Sequence, residues 1–238
     1  MPAQGIGPWG ENRQRYPRTF SCLGRLFASI DYLTVRDVES QQAFFELTEK
    51  RPNVTADAAF VGEAGKVDIS EAHSELRLAV VLRSSVTGSE EICRHFLKIA
   101  EEVENLKIFP VIFQSGDELV WQNCGWQGEL AKVKAGDPIF SDVDLVVSMR
   151  LHGCIIATSR AIPWLGIAYD PKVSAFASAC NWKFCFEPEK IDRQLLEQQL
   201  NLLASRKVEF AGKLARKANE MTRRAQQDFA EVVEILQS

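Results

Sequence analysis

The sequence predicts an α/β protein made of two parallel-sheet halves, of which the first is incomplete, closed by C-terminal helices. Short apolar runs alternate with segments of helical periodicity, which is the pattern of repeated βαβ units. The apolar runs are continuous, as expected for strands that a parallel sheet buries on both faces. Several runs end in charged or polar residues, at the edge where parallel sheets bind ligands.

The predicted first half covers residues 1–60 and opens with a glycine- and proline-rich loop. Helical and strand-like segments then alternate. They are a helix at Phe20–Ala28, a strand at Tyr32–Val35, a helix at Ser40–Thr48 and a strand end at Val54–Asp57. No strand body precedes the opening loop, so we expect this half to be incomplete. The polar residues 61–74, with Gly62 and Gly65, are interpreted as a linker.

The predicted second half covers residues 75–238 and has the clearest strand patterns. The predicted strands are Leu76–Leu82, Lys107–Phe113, Val143–Val147, Trp164–Tyr169 and Trp182–Phe186. Ser89 is expected to cap the first helix, because acidic residues that offset the helix dipole follow it. Trp121 and Trp126 are expected to pack in the core. From Ile191 onward, apolar residues at helical spacing predict closing helices, whose basic residues are interpreted as a solvated face.

Composition narrows the class of protein. The chain has 238 residues and a net charge of -4, so no general attraction to nucleic acid is expected. No apolar run approaches the ~18 residues of a membrane span, and the N-terminus lacks a secretory pattern. Six scattered cysteines are expected to be reduced, structural thiols of a cytoplasmic protein. No cysteine or acidic cluster has metal-ligand spacing, so neither a metal nor a cofactor is predicted.

The most informative stretch runs from residue 142 to residue 172. It predicts a strand, a short helix and a second strand, which together form a βαβ unit. Arg150 and His152 directly follow the first strand, while Asp170 and Lys172 follow the second. Because the carboxyl ends of parallel strands share one edge, where helix N-termini present free N–H groups, we expect these side chains to line a ligand site.

The same stretch contains the run MRLHGCIIATSRAIPWLGIAYDPKV, which resembles the C-terminal domain signature of the polysaccharide pyruvyl transferase family. Three shorter motifs upstream follow the order found in that family. They are Gln4-Gly5-Ile6-Gly7-Pro8, Thr34-Val35-Arg36-Asp37 with Ser40, and Thr55-Ala56-Asp57 with Phe60. The resemblance covers most of the chain up to about Phe176. It departs at the start, since family members are expected to begin with a full Rossmann-like domain and a glycine-rich pattern that this sequence lacks.

The resemblance implies a GT-B-like architecture of two Rossmann-like halves, with the donor site in the second. It implies transfer of a pyruvyl group from phosphoenolpyruvate, as donor substrate, to a pair of sugar hydroxyls of a cell-surface polysaccharide, which forms a ketal. The partners would be phosphoenolpyruvate and a saccharide acceptor, with peripheral contact to a lipid-linked acceptor left open. A nucleotide-sugar glycosyltransferase on the same scaffold and a truncated, non-catalytic remnant are the alternatives.

The residue types fit this chemistry. Phosphoenolpyruvate carries a carboxylate and a phosphate, and guanidinium groups match both anions. Arg36, Arg83 and Arg150 each follow a predicted strand. Imidazole titrates near neutral pH, so it can protonate the enol methylene or deprotonate the attacking hydroxyl. The resemblance implies that Arg150 and His152 match functional residues of the family, with Arg36 next.

Each candidate also has a structural interpretation. His152 could cap or pack the turn after its strand, and Arg36 could pair with Asp37 or Asp57 at a sheet edge. Tyr169 is as well suited to the core as to a ligand contact, and Lys172 could lie in a solvated turn. The predicted site consists of the catalytic residues His152 and Arg150 and the substrate-binding residues Arg36, Arg83, Lys172 and Tyr169.

Overall fold

The structure is a computed structural model that describes residues 2–7, 9, 11–61, 75–133 and 140–237. Most of the predicted linker, residues 62–74, and Pro8 of the first motif lie outside the described residues. Helices alternate with parallel strands along the chain, which confirms the predicted α/β class. The chain divides into two compact units, of which the first is Met1–Ala64 with Asn219–Ser238 and the second is Gly65–Ala218.

The first unit contains a short parallel sheet with helices packed on it. Its described elements are α1 (Asn12–Arg15), α2 (Pro17–Ala28), β1 (Thr34–Val35), α3 (Val38–Thr48), β2 (Asn53–Val54) and a 3-10 turn at Ala58–Phe60. β1 pairs with β2 in parallel, and Gln4 forms a further parallel bridge with Val35. Ile6, Val35 and Phe44 form the core between sheet and helices.

The second unit contains a six-stranded parallel sheet. Its described elements are β3 (Leu76–Val81), α4 (Ser89–Glu102), β4 (Leu106–Ile112), α5 (Glu118–Asn123), β5 (Ala131–Lys132), β6 (Leu145–Ser148), α6 (Leu151–Ser159), β7 (Trp164–Ile167), α7 (Pro171–Ala179), β8 (Cys185–Phe186) and α8 (Arg193–Ser205). The last helix, α9, spans Lys207–Gln237. The centres of β3, β6 and β7 are fully buried, which explains their continuous apolar sequences.

The strand order of this sheet is β5-β4-β3-β6-β7-β8, and every described pair is parallel. The chain builds outward from β3 to β5 and then returns to place β6 on the other side of β3. The direction of winding therefore reverses between β3 and β6. In open α/β sheets, this topological switch point is where the carboxyl ends of the strands leave a crevice for ligands.

The end of α9 makes its contacts within the first unit. Asp228 is 4% exposed and accepts hydrogen bonds from the Tyr32 hydroxyl (2.7 Å) and from Thr34 Oγ1 (2.8 Å). Burial, followed by the hydrogen bond to Asp228, raises the pKa of Tyr32 above its ordinary value. The sequence interpretation assigned residues 75–238 to one domain, whereas these contacts attach the end of the last helix to β1.

Two local expectations in the second unit were wrong. Gly88, at φ 86°, is the N-cap of α4, and Ser89 lies one residue inside the helix, where its hydroxyl donates to the Arg83 carbonyl (2.7 Å). The reason is that the chain enters α4 through a left-handed conformation that glycine adopts without strain. Trp121 is fully buried, but Trp126 is only half-buried and meets it edge-on, with ring centroids 5.5 Å apart.

Burial differs among the six cysteines. Cys93, Cys154 and Cys180 are buried, Cys124 and Cys185 are half-buried, and Cys22 is exposed. Burial raises the pKa of Cys185 to about 11 and that of Cys154 well above its ordinary value, so both stay protonated at neutral pH. In the part of the chain that the structure describes, no group of three metal-ligating side chains comes together. No described helix combines the length and the apolarity needed to cross a bilayer.

Candidate active site

Arg83 and Arg150 follow the two strands that flank the switch point. In the register of β3 and β6, Val81 lies opposite Ser148. The Met149 N–H donates to the Val81 carbonyl (2.9 Å), and the Arg83 N–H donates to the Met149 sulfur (3.3 Å). The two segments that carry the arginines therefore leave the sheet side by side.

The Arg83 guanidinium is held by neutral groups. Its Nε donates to Ser85 Oγ (2.9 Å), and its Nη1 donates to the hydroxyl of Tyr169, which follows β7. The Tyr169 ring centroid lies 5.1 Å from the guanidinium carbon. Because β6 lies between β3 and β7, the Arg83 side chain reaches past one strand. No carboxylate of the described residues forms an ion pair with Arg83, so its positive charge is not neutralised.

The Arg150 guanidinium is bound to a buried carboxylate. Its Nε donates to Asp117 Oδ2 (2.7 Å), and its Nη2 donates to Asp117 Oδ1 (2.8 Å) and Gln114 Oε1 (3.0 Å). Asp117 is 2% exposed. Both partners follow β4, so Arg150 reaches past β3 in the opposite direction to Arg83. The ion pair neutralises the charge of Arg150. Arg150 therefore contributes oriented N–H donors to the site and little net positive charge.

His152 is the second residue of α6 and is exposed. None of the hydrogen bonds or ion pairs among the described residues involves its side chain, so it does not cap the helix. The turn before it is closed by Ser148, whose Oγ accepts from the Arg150 N–H (3.0 Å) and donates to the Arg150 carbonyl (2.8 Å). A Cβ at Gly153 would clash with that Oγ, so the motif requires glycine there.

Lys172 lies in the first turn of α7, after β7. Asp170 is the N-cap of this helix, and its Oδ1 accepts from the Lys172 N–H (3.0 Å). The Lys172 side chain is half-buried and forms no ion pair with the residues that the structure describes. Its ammonium group is thus a second cation without a carboxylate partner at this edge of the sheet.

Arg36 belongs to the first unit and follows β1. Its Nε lies 3.2 Å from Asp37 Oδ2, and its Nη1 lies 3.1 Å from Asp57 Oδ2. These are the two carboxylates that the sequence offered as structural partners, and the guanidinium side chain is only 15% exposed. The cluster of one arginine and two aspartates has a net negative charge, so it is poorly suited to bind a dianion.

The three upstream motifs meet around this guanidinium. Asp37 Oδ1 caps α3 by accepting from the Ser40 N–H (2.7 Å), and Ser40 Oγ accepts from the Ile6 N–H (2.9 Å). Gly5 lies against the Arg36 guanidinium. A Cβ atom at this position would be only 2.6 Å from the guanidinium carbon, so a larger residue would clash. Gly5 therefore makes room for an arginine, whereas Gly7, at φ 69°, lies against the Ala43 methyl group.

Replacing Gly5 by alanine is expected to lower the free energy of unfolding by about 1–3 kcal/mol. The new methyl group would displace the Arg36 guanidinium from one of its carboxylates. The matched control is Gly212→Ala in α9, where a Cβ has no neighbour closer than 4.0 Å and the helix propensity of alanine is favourable. Urea denaturation measures both. An unchanged Gly5→Ala midpoint would show that the guanidinium does not rest on this glycine.

Sequence reasoning missed Asp117 and Gln114, which hold Arg150, as well as the role of Gly153. Gln114 and Asp117 follow a predicted strand just as the candidate arginines do, so their position after β4 was the available signal. The structure brings Arg83 and Tyr169 into contact, and the segment that carries Arg150 leaves the sheet beside the segment that carries Arg83. Arg36 lies in the other unit.

A protein-family match covers most of the chain. The model of the family described as polysaccharide pyruvyl transferase matches residues 3–171. The match includes every predicted site residue except Lys172, which lies one position beyond it. No curated protein matches the chain significantly.

Three solved structures share the fold at low sequence identity. The structure of accessory secretory proteins 1, 2 and 3 of Streptococcus pneumoniae has a TM-score of 0.61 at 14% identity, with 91% of this chain and 45% of that chain covered. The glycotransferase of kitacinnamycin has a TM-score of 0.57 at 14% identity, with coverages of 96% and 68%. MurG of Acinetobacter baumannii has a TM-score of 0.55 at 13% identity, with coverages of 97% and 73%.

This chain therefore spans less than half of the first of these structures. The likenesses concern the fold alone, and they confirm the predicted Rossmann-like, GT-B-like class. The family match extends over well more than half of the chain, from the first motif to the end of the central βαβ unit. The chain belongs to the polysaccharide pyruvyl transferase family.

Proposed function

We propose that this chain binds phosphoenolpyruvate at the switch point of its six-stranded sheet and transfers the pyruvyl group to a saccharide. The observation that carries the proposal is the pair of arginines on adjacent segments after β3 and β6, both fixed by hydrogen bonds to neighbouring side chains. Two guanidinium groups can bind the two anionic groups of one small ligand, one the carboxylate and the other the phosphate.

The electrostatics of the second unit favour a small dianion. Arg83 has neutral partners, and Lys172 has no carboxylate partner in the described part of the chain, so both retain their charge for the ligand. The N-terminus of α6, which has neither a side-chain cap nor an acidic residue in its first turn, points its free N–H groups to the same edge. These groups would add partial positive charge where the anion binds.

The proposed reaction moves two protons from the sugar hydroxyls, one to the enol methylene and one to the departing phosphate. The enol methylene takes a proton and becomes a methyl group, while the oxygen of one sugar hydroxyl adds to the central carbon. The second hydroxyl then replaces the phosphate on that carbon, which gives the ketal and inorganic phosphate. His152 is exposed at the start of α6, and an imidazole there can act as the acid or as the base. Arg83 stabilises the charge on the departing phosphate.

The acceptor in this proposal is a sugar of a cell-surface polysaccharide, in keeping with the family description. Peripheral contact with a lipid-linked form of that acceptor is part of the proposal. So is a cytoplasmic location, which is in keeping with six scattered cysteines in a chain of this size. The proposal calls for no cofactor besides the donor substrate.

Phosphoenolpyruvate is expected to raise the melting temperature of the chain, whereas UDP-sugars are not. A ligand at one hundred times its Kd stabilises the native state by about 2.7 kcal/mol, which corresponds to roughly 5–10 °C for a chain of this size. Inorganic phosphate and pyruvate, each tested alone, supply one of the two anions and should give smaller shifts. Stabilisation by a UDP-sugar without any shift by phosphoenolpyruvate would favour a nucleotide-sugar glycosyltransferase and contradict the proposal.

A further inference from the structure

The Asp117 side chain binds an arginine and does not cap the helix that it precedes. Asp117 is the N-cap residue of α5, where an aspartate ordinarily accepts a hydrogen bond from its own helix, yet its side chain caps nothing. Both of its carboxylate oxygens accept from Arg150 instead. An aspartate that is 2% exposed and ionised needs such a partner, because burial without one would be costly.

The contact is long-range within the sheet. Asp117 follows β4 and Arg150 follows β6, with β3 between them. Three hydrogen bonds fix the plane of the guanidinium, two to Asp117 and one to Gln114. They use Nε and Nη2, and Nη1 has no partner among the described residues. The bidentate geometry leaves the guanidinium little freedom to rotate.

We propose that Asp117 is a positioning residue for the transfer reaction, which acts by holding the Arg150 guanidinium so that Nη1 is available to the substrate. The inference rests on the proposed function of this site. Asp117 itself does not touch the substrate. Its carboxylate neutralises the charge of Arg150 but fixes the orientation of the guanidinium group. Gln114 supports the same orientation. Net charge for the dianion then comes from Arg83 and Lys172.

Asp117→Asn is expected to lower kcat about 100-fold, the loss that misplacing a catalytic group by an ångström can cause. The KM for phosphoenolpyruvate should stay the same or fall, because Arg150 regains its net charge. A merely structural role would instead lower the amount of folded protein. The control is Asp144→Asn, a buried carboxylate at the opposite end of β6 that pairs with Lys207 at 2.5 Å. It should cost stability without changing kcat.

A double-mutant cycle with Arg150→Ala tests the route of action. If Asp117 acts only through Arg150, adding Asp117→Asn to the Arg150→Ala chain should change kcat/KM by no more than about threefold. A loss of the same size in both backgrounds would overturn the inference while leaving the proposed function intact. A native chain that neither binds nor consumes phosphoenolpyruvate would overturn both.

Nuclear magnetic resonance of the arginine side chains supplies a readout independent of turnover. In the native chain, the Arg150 Nε–H should exchange slowly with water, because it donates to a buried carboxylate. Asp117→Asn should make this exchange at least about tenfold faster, in line with the loss of a charge-assisted hydrogen bond, whereas Asp144→Asn should not. An Arg150 signal that is unaffected by Asp117→Asn would contradict the positioning role.

Discussion

A His152→Gln chain is expected to fold like the native protein and to transfer the pyruvyl group about 10²- to 10⁴-fold more slowly, the range that general acid–base groups contribute. Folding should persist because the side chain is exposed and bonds to no described residue. Glutamine keeps a similar size and can form hydrogen bonds, but it cannot exchange a proton near neutral pH. Initial rates of phosphate release with a saccharide acceptor measure the effect, and the melting temperature checks the fold.

The matched control for this variant is His95→Gln. His95 lies in α4, is half-buried, and has no proposed part in the chemistry. It should keep the native rate. Native kinetics in the His152→Gln chain would remove the imidazole from the mechanism.

The sequence was most informative where a signal is local. Continuous apolar runs predicted β3, β6 and β7, because only a strand buried on both faces needs every residue to be apolar. The position of Arg83 and Arg150 directly after such runs then predicted that they share an edge. The structure adds that β3 and β6 are neighbours, which strand order determines and which no short segment of sequence encodes.

The rest could not be predicted because it depends on contacts between distant residues. The bond between Arg150 and Asp117 joins positions 33 residues apart, and neither flanking sequence has a pattern that specifies the other. The hydrogen bond from Tyr32 to Asp228 spans 196 residues, so the periodicity of α9 could not show that its end packs with β1. The capping error at Ser89 is different in kind. A favourable local residue was overridden by the left-handed conformation of Gly88.

The two arginines at the switch point perform different electrostatic tasks. Arg150 is paired with a carboxylate, whereas Arg83 is held by two hydroxyl groups, of Ser85 and Tyr169. Hydroxyl partners orient a guanidinium without neutralising it. We therefore expect Arg83 to contribute most of the binding energy for the donor, even though the resemblance to the family first pointed to Arg150 and His152.

Arg83→Lys is the variant that isolates this contribution, and it is expected to weaken phosphoenolpyruvate binding roughly 10²- to 10³-fold. Lysine retains the charge but loses the planar fork. Two charge-assisted hydrogen bonds of about 1.5–3 kcal/mol each would no longer be made together. Tyr169→Phe should have a smaller effect of about three- to tenfold, because it removes only one neutral acceptor that orients the guanidinium. Isothermal titration with phosphoenolpyruvate measures both affinities.

The control for Arg83→Lys is the same substitution at Arg77, at the other end of the same strand. Arg77 pairs with Asp142 at 2.5 Å and lies over the Phe109 ring, far along β3 from the switch point. Arg77→Lys should lower stability slightly and leave donor affinity unchanged. If both lysine variants bound the donor as tightly as the native chain, the anion would have to bind elsewhere. If both weakened binding equally, the loss would reflect the sheet as a whole. Only a loss confined to Arg83→Lys places the dianion at the carboxyl edge of β3.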